Sequence, residues 1–190
     1  NCLLIFDEMV TGLRVNCSSV QSYLKIKPDI TTFGKIFGGG MPIGIIAISK
    51  KIEKTILKKK LKIFFGGTFS GNSLTTFIGR LTTEYIVKNK KKIFLSLNKK
   101  ASFFQEIMNQ FIQEKKLNAK VYRFHSLIRL VFTNKDVTNR VQRDFLEYKN
   151  YENITKFRNF LLKKGIYYPT SGIIFMSTET TNSDIEKIIK

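Results

Sequence analysis

The chain of 190 residues has a mass of 22.0 kDa, enough for one domain or two small ones. Its content of 43% hydrophobic and 13% aromatic residues can form a buried core, which excludes wholesale disorder. No apolar run approaches the roughly 20 residues of a membrane span, and two cysteines, Cys2 and Cys17, are too few for a disulfide framework. We therefore expect a cytoplasmic protein that does not enter a membrane.

The net charge of +19 comes mainly from lysine, because the 33 basic residues comprise 26 Lys and seven Arg. Nucleic-acid recognition favours the planar Arg fork alongside Lys. Lysine combined with abundant Ile, Asn and Phe is also typical of proteins from AT-rich genomes. We therefore expect a solvated surface rather than a nucleic-acid interface, although a basic face can attract anionic metabolites or phosphates.

The first residues predict a strand, because the run from Cys2 to Phe6 is apolar and ends abruptly in Asp7 and Glu8. This pattern is typical of a strand that is buried on both faces and has acids at its carboxyl end. Since such a strand needs neighbours on both sides, we expect the chain to be the C-terminal part of a larger protein.

The remainder of the first half alternates helical and strand patterns, which indicates an α/β sheet. The predicted elements are a weak helix at 15–27, a strand at 30–33, a Gly-rich loop at 34–42, a strand at 43–49, a helix at 51–60, a strand and loop at 64–70, and a helix at 73–87.

A lysine-rich segment at 88–92 marks a shift in composition, and we place a domain boundary there, between residues 1–90 and 91–190. The second half is predicted to be α+β. Its predicted elements are a long helix at 93–111, strands at 121–124 and 128–132, a helix at 153–164 that stops at Gly165, strands at 166–168 and 173–176, and a last helix that starts near Thr181, which is spaced from Asp184 as in a capping box.

Two candidate ligand sites are a pair of acids at the end of a predicted strand and a lysine in the Gly-rich loop. Asp7 and Glu8 end a predicted strand, and ligands of α/β sheets bind outside the carboxyl ends of strands; a solvated strand end is the alternative. Lys35 lies in a Gly-rich loop between apolar segments, without neighbouring charges. A partly desolvated lysine has a lowered pKa and can form Schiff bases as an amine nucleophile, whereas most single lysines are merely solvated.

The third candidate is the hydroxyl-rich turn Gly67–Ser73, which enters a helix. Backbone amides and the Thr68 hydroxyl can bind phosphate there, and N-capping by Ser or Asn is the alternative. A strand-end acid, a loop lysine and a phosphate-binding turn are together the parts that hold pyridoxal phosphate. Walker and Rossmann spacings are missing from the sequence, so ATP and NAD sites are unsupported.

Histidine and cysteine chemistry is not expected. The one histidine, His125, lies in a strand-like segment, where a core or surface role is favoured over catalysis. One His and two distant Cys give no metal-ligand spacing, so we predict no metal site. A Ser-His-Asp triad would need His125, and no nucleophile elbow accompanies it.

Three segments, FDEMVTGLR, KPDITTFGKIFGGGMPIG and GGTFSGNS, resemble the signature of class III pyridoxal-phosphate aminotransferases, a branch of the fold-type-I enzymes. The acid, the lysine 28 positions later and the threonine 33 positions beyond it agree with that family in order and spacing. The end of the chain, GIYYPTSGIIFMSTETTNSDIEKII, is similar to the glutamate-1-semialdehyde 2,1-aminomutase subgroup. The resemblance implies the C-terminal part of the large domain, with a mixed, mostly parallel sheet, followed by a small α+β domain.

The resemblance also implies pyridoxal 5'-phosphate as cofactor and a role for each candidate residue. Asp7 would pair with the pyridinium nitrogen, and Lys35 would form the Schiff base and then act as the general base. Thr68 would bind the cofactor phosphate in the neighbouring subunit's site, which implies a homodimer. Met9 stands where the family usually has Val packed on the ring, and Glu8 would support the substrate or cofactor region.

The implied activity is transfer of an amino group between small molecules. The aminomutases carry a Phe-Glu-Ala segment before the terminal strand, whereas Pro169–Ile173 is shorter and has no acid. This favours a related transaminase, with the aminomutase as alternative. A hypothesis of another class is a non-catalytic basic protein, either an enzyme remnant or a nucleic-acid binder, and only the enzyme requires Lys35.

Overall fold

A computed structural model describes residues 2–64 and 66–189. The chain forms two compact units, and the boundary between them along the chain falls between Phe94 and Leu95. The elements of the first unit are β1 (Ile5–Asp7), α1 (Val20–Tyr23), β2 (Ile30–Gly34), a 3-10 turn (Lys35–Gly38), β3 (Gly44–Ile48), α2 (Lys50–Lys58), α3 (Ser73–Lys88) and the start of α4 (Lys90–Glu114). The second unit continues α4 and adds β4 (Lys120–Phe124), β5 (Leu127–Val131), α5 (Arg140–Tyr148), α6 (Tyr151–Lys163), β6 (Ile173–Phe175) and α7 (Asn182–Ile189).

The first unit contains a mixed sheet in the order β1-β2-β3, which confirms the expected α/β fold class. Strand β1 runs parallel to β2, with Asp7 opposite Thr32. Strand β3 is antiparallel to β2, with Gly34 opposite Gly44. The carboxyl ends of β1 and β2 therefore lie side by side at one edge of the sheet.

The prediction that the first strand is buried on both faces is wrong for this structure. Leu4 and Ile5 are 46% and 59% exposed, and Ile46 of β3 is 66% exposed. Strands β1 and β3 are the edges of a three-stranded sheet, so each has a hydrogen-bonded neighbour on one side only. In the described part of the first unit, the fully buried apolar side chains are Leu13 and Val15, which follow β1 rather than lie in it.

Helix α1 has four residues, far fewer than the predicted span of 15–27. Asn16 Oδ1 accepts hydrogen bonds from the backbone N–H and the hydroxyl of Ser18, at 2.7 and 2.8 Å. This local turn competes with helix formation, so the helix starts only at Val20. Of the strand and loop predicted at 64–70, the loop is present, because residues 66–70 are irregular or in turns. Residue 64 is not in a strand, and Phe65 lies outside the described residues.

Helices α2 and α3 lie within two residues of their predicted bounds. A polar side chain directly before each helix caps it and so determines where it starts. The Asn72 side chain accepts a hydrogen bond from the Thr75 N–H at 3.0 Å and so starts α3. The Ser49 hydroxyl caps α2 in the same manner. Capping by Asn72, the simple alternative for this turn, is therefore present.

The second unit is α+β, as predicted, with an antiparallel sheet in the order β4-β5-β6. Apolar side chains of the helices and strands form its core. Those buried most completely include Ala101, Phe104, Val121, Ile128, Val131, Met176 and Ile185. Burial of this many large side chains stabilises the unit by about 1.5–3 kcal/mol for each Val, Ile, Phe or Met.

Predictions of the shorter elements in the second unit had mixed outcomes. Helix α5 was not predicted, although Asn139 caps it by accepting from the Gln142 N–H at 2.9 Å. The strand predicted at 166–168 does not form. Gly165 ends α6 with a φ of 75°, and Thr181 and Asp184 form the predicted reciprocal cap, with Asp184 accepting from the Thr181 N–H at 2.8 Å. No helix in the described residues is both long and apolar enough to cross a membrane.

Candidate active site

The chain brings Asp7 and Lys35 to the same edge of the first sheet. Asp7 ends β1 and is paired with Thr32 of the parallel strand β2, and Lys35 follows directly after β2 ends at Gly34. Both side chains are exposed. Because the carboxyl ends of adjacent parallel strands form ligand sites in α/β sheets, a carboxylate and an amine are available there to one ligand.

The Asp7 carboxylate is held by two hydrogen bonds to the same oxygen. Oδ1 accepts from the Met9 N–H at 3.0 Å and from the Thr32 hydroxyl at 3.2 Å. These contacts orient the carboxylate and direct Oδ2 away from the two donors. Thr32 was not predicted as a site residue. Its position directly opposite Asp7 in the parallel register brings its hydroxyl to the carboxylate.

Lys35 starts the 3-10 turn with a φ of 50°, in the left-handed region that non-glycine residues rarely adopt. Such backbone conformations cost on the order of 1–3 kcal/mol and cluster at ligand sites. The prediction that the lysine is partly desolvated is wrong for this structure, because the side chain is exposed. It lies just beyond a strand that is itself only half-covered, so the ammonium stays in contact with water.

Met9 packs against the backbone that precedes Lys35. A Cβ added to Gly34 would lie 2.6 Å from Met9 Cε and 2.9 Å from the Ile43 carbonyl oxygen. Glycine is therefore required at this position for close approach. Because Gly34 has no Cβ, the Met9 side chain can pack against the end of β2.

The turn that carries Lys35 is seated on helix α3. A Cβ added to Gly79 of α3 would overlap the carbonyl oxygen of Phe37. Below the turn, the rings of Phe33 and Phe37 are 5.0 Å apart, and both approach within 2.9 Å of a Cβ added to Gly12. The turn is therefore held by α3 at Gly79 and by the rings of Phe33 and Phe37, which pack against Gly12.

We expect Gly79→Ala to lower the free energy of unfolding by about 1–3 kcal/mol. In an unobstructed helix this substitution stabilises by about 1 kcal/mol, but here the added methyl group meets a backbone carbonyl that cannot rotate away. Urea denaturation measures the effect. Gly44→Ala is the matched control, because nothing lies within 4 Å of a Cβ added at Gly44, and equal stability of the two variants would contradict the prediction.

Glu8 is 1% exposed, and its carboxylate faces the protein interior. It accepts hydrogen bonds from the Thr11 hydroxyl, from the Val20 N–H at 3.2 Å and from the Gln21 N–H at 2.7 Å. The two amides belong to the first turn of α1, where four N–H groups have no partner within the helix. Glu8 therefore caps α1 and fixes the turn after Asp7, which is a structural support of the site.

Thr68 lies in a different cleft. This open cleft of about 740 Å³ is lined by the start of β3 and by residues 67–72 with Thr75 and Thr76. Thr68 is exposed and lines this cleft together with Ser70. Neither Asp7 nor Lys35 lines the cleft. The structure thus unites Asp7, Met9 and Lys35 but does not bring Thr68 to them within one chain.

His125 lies in the tight turn between β4 and β5, with a φ of 52°. Its ring packs edge-on against Phe124, and burial, with a smaller contribution from Arg123, lowers the pKa of the imidazole below its usual value. Among the described residues, no three His, Cys, Asp or Glu side chains form a group that could hold a metal ion.

Curated relatives match nearly the whole chain. It is 35% identical over 192 residues to the glutamate-1-semialdehyde 2,1-aminomutase of Ruminiclostridium cellulolyticum, covering 100% of this chain and 43% of that relative. It is 33% identical to the enzyme of the same name from Sulfurisphaera tokodaii, covering 97% of this chain and 42% of the relative. The chain therefore spans less than half the length of these relatives.

Solved structures share the fold. A glutamate-1-semialdehyde aminomutase of Pseudomonas aeruginosa in complex with PMP matches with a TM-score of 0.83 at 19% identity, over 98% of this chain and 42% of that one. An omega-transaminase from Sphaerobacter thermophilus matches with a TM-score of 0.78 at 23% identity, with the same two coverages. The family model of class-III aminotransferases matches residues 1–183. The chain accordingly belongs to the class III aminotransferase family.

Proposed function

We propose that the protein is a pyridoxal-phosphate-dependent enzyme that transfers amino groups between small molecules. The carrying observation is the parallel register of β1 and β2, which supports a joint site for Asp7 and Lys35. The donor set fits the cofactor, since it offers a carboxylate for a ring nitrogen and an amine for an aldehyde. We assign residues 1–90 to the cofactor-binding domain and 91–190 to the small domain.

Asp7 would hold the ring nitrogen of the cofactor. The hydrogen bonds from Met9 and Thr32 both end on Oδ1, so Oδ2 can accept from the pyridinium N–H. A carboxylate there keeps the nitrogen protonated. Met9, which lies against Gly34, is positioned to contact the ring with a flexible, polarizable side chain.

Lys35 would bind the cofactor through its amine and later move a proton at the substrate carbon. When bound, pyridoxal phosphate acts as an electron sink that acidifies this carbon. The seat of the turn on α3, through Gly79 and Phe37, would keep the amine in place for both tasks. Glu8 contributes by fixing the turn behind Asp7.

Thr68 would bind the cofactor phosphate of a partner subunit. The hydroxyls of Thr68 and Ser70 line the cleft next to the amino end of α3, and a helix N-terminus favours anions. Because Asp7 and Lys35 do not line this cleft, we infer a homodimer in which two chains share each site. Sedimentation equilibrium with pyridoxal phosphate tests this inference, and a strictly monomeric loaded protein would contradict it.

The amino donor and acceptor are proposed as small molecules. Two variants of the reaction are supported by different observations. The turn at 169–172 is short and has no acid, which favours transfer between two molecules. The curated relatives are named aminomutases, which favours transfer within one. We further propose the cytoplasm as location, because both cysteines are free.

Titration with pyridoxal phosphate tests the proposed function. We expect a saturable change in the cofactor's absorbance spectrum, and weaker binding of pyridoxal, which lacks the phosphate. If the part of the relatives that this chain does not span is needed for a complete site, we expect low affinity and no turnover. The absorbance change should still saturate. The competing hypothesis is a basic nucleic-acid binder. Salt-sensitive binding to duplex DNA, without any saturable cofactor spectrum, would replace our proposal by that one.

A further inference from the structure

The second unit contains a cavity of about 220 Å³. It opens between β5, helices α5 and α6, and the turn before β6. Its lining combines guanidinium groups, hydroxyls and aromatic rings, and includes Arg129, Glu147, Tyr148, Tyr151, Arg158 and Thr170. The volume is below the roughly 300–1,000 Å³ of pockets for drug-sized ligands, so a ligand must be small.

The carboxylates at this cavity are already shared among several guanidiniums. Glu147 accepts from Arg129 at 2.6 Å and lies 3.7 Å from Arg143. Asp144 accepts from Arg143 Nε at 2.9 Å and from Arg140 at 3.2 Å. The guanidinium of Arg143 holds the pKa of the Asp144 carboxyl below its usual value. Both acids therefore already have guanidinium partners.

Arg158 adds a fourth guanidinium without adding an acid. In the described part of the chain it has no ion-pair partner within 4.0 Å, and its Nε–H is enclosed without an acceptor. The Nε–H of Arg129 is also enclosed without an acceptor. Of these four guanidiniums, Arg129 and Arg158 line the cavity together with both acids, and Arg158 is the one without an ion-pair partner in the described residues. An enclosed donor without a partner costs about 1–3 kcal/mol.

We propose that this cavity binds a small oxyanion, a carboxylate or phosphate group, between Arg158 and Arg129. The planar guanidinium matches both groups with paired hydrogen bonds. The bound oxygens would accept from the terminal N–H groups of Arg158 and give this guanidinium the counter-charge that it lacks in the described residues. Thr170 offers an additional hydroxyl, and Tyr148 and Tyr151 would cover the ligand from the rim. All residues that line this cavity belong to the second unit.

Side-chain Nε–H NMR spectra of the ¹⁵N-labelled chain test the proposal at the residues themselves. The chain has seven Arg, so each signal can be assigned with single variants. At constant ionic strength, titration with acetate and with inorganic phosphate should shift the signals of Arg129 and Arg158 saturably. The tighter of the two anions identifies the ligand group. Phosphate bound near Thr68 does not disturb this readout, which reports only on the arginines.

Two variants with equal net charge separate a site from general attraction. Arg158→Met should weaken binding, followed at Arg129, by about tenfold or more, as expected for loss of a charge-assisted pair. Arg80→Met is the matched control, because Arg80 is exposed on α3 and pairs with Glu84 at 3.3 Å. It should leave the affinity unchanged.

A stability measurement distinguishes loss of the ligand from loss of the fold. Without anion, Arg158→Met should unfold at the same temperature as the parent chain or higher, because it removes an unpaired enclosed charge. With anion, only the parent chain should gain stability. Nonsaturable shifts, shifts of equal size at Arg80, or equal affinity of Arg158→Met would overturn the proposal. Arg158→Lys, which keeps the charge but not the fork, should bind more weakly than the parent.

Discussion

Replacement of Lys35 by Ala is expected to abolish specific, borohydride-stable attachment of pyridoxal phosphate. The reason is chemical, because the proposed site offers the amine of Lys35, just after the end of β2, to the aldehyde. We expect the labelled peptide containing residue 35 to disappear from the mass spectrum after reduction and digestion. Lys35→Arg should lose the label equally, since a guanidinium keeps the positive charge but is not a nucleophile at neutral pH.

A second lysine provides a matched control for this experiment. Lys25 is exposed and has a φ of 57°, close to the 50° of Lys35. Lys25→Ala therefore makes the same change in charge and in backbone environment, and it should leave the label on Lys35 intact. The chain contains 26 Lys, so peptide mapping is needed to distinguish specific from random labelling. An unchanged label in both Lys35 variants would remove this residue from the proposed site.

Glu8→Ala is expected to lower the free energy of unfolding by about 3 kcal/mol or more. The substitution leaves the Thr11 hydroxyl and the amides of Val20 and Gln21 without their acceptor in a buried place. Glu8→Gln keeps one oxygen as acceptor and should cost less, about 1–2 kcal/mol. Urea denaturation gives the free energy. Amide hydrogen exchange at Val20 and Gln21 should accelerate in both variants.

Glu53→Ala is the control for loss of a negative charge in this strongly basic chain. Glu53 is exposed in the first turn of α2, so its removal should change stability by no more than about 0.5 kcal/mol. If Glu8→Ala were no more destabilising than Glu53→Ala, or if exchange at Val20 and Gln21 stayed slow, the capping role of Glu8 would be wrong.

The sequence predicted part of the site because strand ends can be identified from local pattern. Asp7 ends an apolar run and Lys35 lies in the Gly-rich loop after the next predicted strand, so both were identified as candidates. Their position at one sheet edge follows from the parallel register of β1 and β2. The exposure of Lys35 and its left-handed backbone could not be predicted, because both depend on what packs around the turn. Thr32 was missed for a similar reason, since its hydrogen bond to Asp7 exists only in the parallel register.

The guanidinium cluster of the second unit had no sequence signal at all. Arg129 is on β5, Glu147 on α5 and Arg158 on α6, and no spacing relates them along the chain. Helix α5 itself was not predicted, although the Asn139 cap and the apolar spacing of Val141, Phe145 and Tyr148 are visible in the sequence. Since these three side chains are mostly exposed, their apolar character is not explained by a core.

The sequence by itself determined the long elements and the family. Helices α3 and α4 have apolar residues at helical spacing, and Asn72 caps α3; both are properties of neighbouring residues. The strand predicted at 166–168 does not form, because a strand also needs a partner, and local pattern contains no information about one. Only the tertiary structure decided that Glu8 is buried as the cap of α1, while its neighbour Asp7 remains exposed. Adjacent residues of a strand point to opposite faces, and which face is covered depends on distant parts of the chain.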